Sequence, residues 1–195
     1  LGLTVFAERY AGVPRMALTA TADDITRADI VARLSLGNAR NFLDRCDAYT
    51  TDASGLASLR ATLPDSTNYV ILPEIISKEP LGPVVRHGDN QWGDIVRWTY
   101  YALVAAEEKG ITKANVEEVA KTSTDPEVRR LLGVEGDMGA MMGLDNEWAK
   151  RAIAASGNYG EIFEANIGTS TPIGLARGLN ALWTQGGLQY AAPFR

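Results

Sequence analysis

Sulfur and imidazole chemistry are almost missing from this chain. Its 195 residues hold one cysteine, Cys46, and one histidine, His87. A single thiol excludes an internal disulfide. His87 has no partner at metal-ligand spacing, so no zinc-type site is expected and His87 reads as a surface turn residue. No glycine-rich phosphate loop ending in Lys and Ser/Thr occurs, and no acidic magnesium motif accompanies one. ATP hydrolysis is therefore excluded as an expectation. No run of eighteen apolar residues occurs, so no membrane span is expected. Nor is there a basic segment leading into an apolar stretch and a small-residue cleavage site, so no secretion signal is expected. Strong positive charge is absent too. The formal net charge is −5, which argues against nucleic acid as the main partner.

What is present is ordinary for a globular protein, with 46% hydrophobic and 22% charged residues. Charge is uneven. Residues 1–42 carry Arg9, Arg15, Arg27, Arg33 and Arg40 against Glu8, Asp23, Asp24 and Asp29, so the negative charge lies in the remainder. Neither block is a patch or a tail.

The patterning predicts a short buried strand over 15–18 and a helix over 22–34, with Ile25, Ala28, Ile30, Val31 and Leu34 at helical spacing. Further strands are expected at 47–51, 69–72 and 82–86, and a helix over 54–63 ending before Pro64. A long helix over 91–109 should place Trp92, Ile95, Val96, Thr99, Leu103 and Ala106 on one face and stop at Gly110. Short helices are expected over 114–120 and 126–132, the second with proline at its first position. Residues 133–143 hold four glycines and read as loop, 145–167 as a helical pair interrupted near Gly157, and 171–183 as another helical stretch broken by Gly186 and Gly187. The order is α/β with few strands and a helical C-terminal half.

One short stretch has chemistry in it: Asp47-Ala-Tyr-Thr-Thr-Asp52-Ala-Ser-Gly-Leu56. Asp52 ends a predicted strand and precedes a small-residue turn, which aims an acceptor at a cationic ligand group. A charge-assisted hydrogen bond to such a group is roughly twice as strong as a neutral one. Asp52 is equally suited to cap the helix that follows. The two roles are compatible. Glu135, Asp137 and Asp145 flank the glycine-rich loop, but their spacing fails the alternating ligand pattern of a calcium loop. Trp92, Trp98, Trp148 and Trp183 lie along helical stretches and are expected to serve as core packing. Cys46 reads as a small buried residue.

The Asp52 stretch is followed by Val70-Ile-Leu-Pro-Glu-Ile-Ile-Ser-Lys-Glu-Pro-Leu-Gly-Pro-Val-Val-Arg86, and later by Ala176-Arg-Gly-Leu-Asn-Ala-Leu-Trp183 and Gly186-Gly-Leu-Gln-Tyr-Ala-Ala-Pro-Phe-Arg195. Together they resemble the C-terminal part of periplasmic solute-binding proteins of polar amino-acid ABC transporters, above all the general L-amino-acid-binding proteins. The likeness runs from about Asp44 to Arg195. It implies a partial periplasmic-binding-protein-like fold (type II) over 43–195: the end of lobe 2, hinge strands within 70–85, and the return to lobe 1. It implies binding rather than catalysis, with an L-amino acid as ligand, the membrane permease of the importer as partner, no cofactor or metal, and a periplasmic location. Asp52 matches the acid that holds the ligand's α-ammonium, and Cys46 matches half of a disulfide whose partner lies upstream. The groups that hold the ligand's α-carboxylate in the family, an arginine, a hydroxyl residue and backbone N–H groups, have no match in this chain. An incomplete, weak binder is the expectation.

Residues 1–42 are similar to something else. Val13-Pro-Arg-Met-Ala-Leu-Thr-Ala-Thr-Ala-Asp23 and Thr26-Arg-Ala-Asp-Ile-Val31 resemble a segment of RecQ-family helicases. The two likenesses meet near Phe42, as in a chimaeric, misassembled or frameshifted reading frame. Two rival functions follow. One is a non-binding structural or interaction fragment. The other is a dehydratase-like enzyme on the same fold, with Asp52 and Glu74 as its candidate acid and base.

Overall fold

A computed structural model describes residues 49–64, 66–72 and 80–195. The chain divides at Pro80/Leu81 into two compact units.

In the first unit the described element is α1, Ala53–Thr62. It begins one residue earlier than the pattern predicts, because the aspartate occupies the cap position itself. It ends at Leu63, whose extended backbone (φ −76°, ψ 139°) sets up the Pro64 that follows. A single 3₁₀ turn, Ser66–Asn68, comes next, and Arg60 Nε donates to the Ser66 carbonyl at 3.3 Å. Among the described residues of this unit, only Ala57 is buried.

The second unit is helical. Its elements are α2 (Asn90–Glu108), α3 (Val116–Thr122), α4 (Pro126–Leu131), α5 (Met138–Met141), α6 (Trp148–Ser156) and α7 (Tyr159–Asn166). Two 3₁₀ turns follow, Gly178–Asn180 and Trp183–Gln185. α2 packs against α6 and α7, and α3 packs against α6.

Local chemistry explains the boundaries. Asp89 accepts from the Trp92 amide and starts α2. At its end, Gly110 adopts φ +66°, and the Gly110 and Ile111 amides donate to the Glu107 and Ala106 carbonyls. This is a Schellman closure, in which the left-handed glycine satisfies two otherwise unpaired carbonyls. α7 starts with a full capping box: Asn158 accepts from the Glu161 amide while the Glu161 carboxylate accepts from the Asn158 amide. The buried Asn158 side chain also donates to the Ile111 carbonyl, tying α7 to the turn after α2.

The buried face of α2 keeps Ile95, Leu103 and Ala106 of the predicted one but is recentred away from Trp92. Ala102, Ala105 and Ala106 sit at its centre, with Ile95, Trp98 and Tyr101 packed beside them, while Trp92 is 52% exposed. Alanines carry little weight in a hydrophobic pattern, yet they let α6 and α7 approach most closely. The core extends through Ile111, Val116, Leu131, Leu132, Ala149 and Ile153 to Leu182, Ala191 and Phe194.

Three expectations are corrected. Residues 49–51, 69–72 and 82–86 form no strand. A strand exists only as part of a hydrogen-bonded ladder, and these runs are irregular, with Val84 95% exposed. Among the described residues the β pairing is one isolated bridge between Leu182 and Gln189. The helix expected over 171–183 is replaced by turns. Gly174 and Gly178 hold positive φ, and the chain folds back so that the Leu188 and Gln189 amides donate to the Leu179 and Ala181 carbonyls. The loop over 133–143 contains the short helix α5. The strand and helix expected within 15–34 lie outside the described residues, as do Cys46, Glu74 and part of the expected hinge.

Candidate functional site

Asp52 holds the cap position of α1, with φ −59° and ψ 156°. Its Oδ1 accepts from the Gly55 amide at 2.7 Å and from the Ser54 hydroxyl, and Thr51 Oγ1 donates to Oδ2 at 3.3 Å. The run Thr-Asp-Ala-Ser-Gly explains this arrangement. A Cβ at Gly55 would stand 2.9 Å from Oδ2 and 3.0 Å from the Thr51 methyl, so only glycine lets the carboxylate settle over the helix start. The Ser54 hydroxyl, then the Gly55 amide, hold the Asp52 carboxyl below the usual carboxylate range, against the opposing effect of partial burial.

The result is a half-buried carboxylate that is ionised at neutral pH and fixed in orientation. Its two closest contacts converge on Oδ1. Among the described residues, Oδ2 receives only the longer Thr51 contact. A carboxylate offers about four acceptor positions. The capping role expected of Asp52 is present in full.

Sequence reasoning missed a second polar centre, in the second unit. Arg177 donates from Nη1 and Nη2 to the two carboxylate oxygens of Glu107, at 2.9 and 3.0 Å. Its Nε and Nη2 also donate to the Asn180 carbonyl. The guanidinium lies 5.3 Å from the Tyr159 ring centroid and 5.2 Å from that of Phe163. Tyr159 meets Tyr100 edge to face, and the Tyr100 hydroxyl donates to Gln189 Oε1. Burial pushes the Tyr100 phenol up. It does the same to Tyr159, where the nearby Arg177 charge opposes it. The sequence signal for this centre is only an Arg and a Glu seventy positions apart. Four of the five guanidinium donors' worth of bonding is already spent on protein acceptors, so Arg177 is a clamp and not a free carboxylate receptor.

The remaining candidates are scattered. Trp148 is buried and Trp98 packs on the core, meeting Phe194 edge to face at 5.5 Å. Trp183, by contrast, is 51% exposed, stacked edge-on against Tyr190, with its indole N–H on Glu108. The core reading thus holds for two of the four tryptophans and fails for Trp92 and Trp183. His87 sits exposed in a turn. The loop acids do not converge. Glu135 pairs with Arg129 and Asp145 with Arg151, and no group of three or more metal-ligating side chains occurs among the described residues. No helix among them is long and apolar enough to cross a membrane.

No protein-family model matches the chain. The glutamate/glutamine/aspartate/asparagine-binding protein BztA of Rhodobacter capsulatus is 79% identical over 150 residues, covering 77% of this chain and 44% of that protein. The general L-amino acid-binding periplasmic protein AapJ of Rhizobium johnstonii is 60% identical over 160 residues, covering 81% of this chain and 47% of that protein. Among solved structures, an ABC transporter/periplasmic binding protein from Brucella ovis with glutathione bound matches with a TM-score of 0.82 and 44% identity, over 97% of this chain and 66% of that one. These relatives are named as binding proteins, not enzymes. The chain spans about half the length of the curated relatives it matches, and its fold is part of a periplasmic-binding-protein fold.

Proposed function

We propose that this chain is the C-terminal part of an amino-acid-binding protein that serves an ABC importer in the periplasm, with the importer's membrane permease as its partner. The observation that supports this most is the 79% identity to BztA over 150 residues. The same observation favours glutamate, glutamine, aspartate and asparagine as ligands over a wider L-amino-acid range. In this reading Asp52 takes the ligand's α-ammonium on Oδ2 while Oδ1 caps α1. Binding is weak, because a zwitterion held at its ammonium end alone loses the contacts that its carboxylate would make. Residues 1–42 are, in the same reading, a segment of separate, helicase-like ancestry that contributes no nucleotide site. None of the relatives named above is a helicase, and sequencing the encoding DNA across the junction near Phe42 tests that origin.

Calorimetric titration with the four amino acids, and with leucine and arginine as controls, tests the binding reading. Saturable heat is expected from the four alone. Asp52→Asn should weaken it about ten- to a hundredfold, following the roughly 1.5–3 kcal/mol of a hydrogen bond to a charged group. Tight binding untouched by Asp52→Asn would place the site elsewhere. No saturable heat with any amino acid would favour the non-binding fragment. Turnover of a prephenate-like acid would favour the dehydratase reading.

A further inference from the structure

We draw no further inference here: the strongest candidate, the exposed apolar face that Leu179, Trp183, Leu188 and Tyr190 form on the C-terminal segment of the second unit, is an unpartnered surface and nothing in the structure shows what covers it.

Discussion

α1 and the helical body of the second unit are held by different forces. α1 buries Ala57 alone, and its definition comes from its cap: an aspartate, a serine hydroxyl and a glycine amide. The α2–α7 body buries a continuous core from Ala102 to Phe194 and adds a half-buried ion pair across it. The lesson is one of separability. A carboxylate that works through local polar contacts outside a core can be altered without disturbing one, whereas the clamp and the tail of the second unit cannot.

The largest expected effect tests the core side of this contrast. Phe194 is 1% exposed and packs on Trp98, so Phe194→Ala should cost about 3–5 kcal/mol in urea unfolding of the second unit. A loss below about 1 kcal/mol would mean that the C-terminal segment does not belong to the core.

Removing the clamp should cost less. Arg177→Ala leaves the Glu107 carboxylate half-buried without its partner. The general cost of breaking a buried pair is about 3–5 kcal/mol, reduced here to about 2–3 because both side chains keep some solvent contact. Arg177→Lys should recover little, since an ammonium cannot reproduce the two-pronged contact with Glu107 and the bonds to Asn180. Full recovery by lysine would reduce the clamp to a simple charge.

On the α1 side the effects shrink. Asp52→Ala removes the cap and should cost about 1 kcal/mol, while Asp52→Asn, itself a good cap, should cost only a few tenths. Helix content by circular dichroism and the unfolding midpoint together read this. If asparagine destabilises as much as alanine, charge and not capping is what holds the start of α1.

The smallest effect is the pH dependence. The folded-state pKa of Asp52 is depressed, so its contribution is fully present above the unfolded-state value of about 3.9 and is lost as pH falls through the folded value. Lys109, whose ammonium is held up by Glu127 and then Asp125, behaves oppositely. Its contribution is present below about 10.4 and is lost as pH rises through its higher folded value. Unfolding midpoints across both limbs should show the acid limb flattened by Asp52→Asn and the alkaline limb flattened by Lys109→Gln. An unchanged acid limb in Asp52→Asn would place the acid sensitivity on other carboxylates.

Much of this was legible in the sequence, and the failures have physical causes. α2 was readable because its stop signal is local: Gly110 takes the left-handed turn that ends it. The pair α6 and α7 was readable from Gly157 for the same reason. The strands expected at 69–72 and 82–86 do not form, because β-branched runs promise a ladder only if a partner is there to complete it. The turns over 171–183 were misread because Gly174 and Gly178 look tolerable in a helical pattern until the fold-back contacts of Leu188 and Gln189 are known. The capping role of Asp52 was legible in its neighbours in sequence, Ser54 and Gly55. Arg177 and Glu107 were invisible, since seventy residues separate two groups that the fold brings within 2.9 Å.

The burial of Phe194 has a consequence for how the chain acquires its shape in time. A nascent polypeptide carries α2 to α7 well before it carries Phe194, and until then Trp98 lacks its edge-to-face partner and Arg130 Nε lacks the Phe194 carbonyl. The helices therefore lack that cover while 167–193 are added. A truncation short of Phe194 makes that loss of cover permanent and should aggregate more readily than the full chain, as light scattering would read.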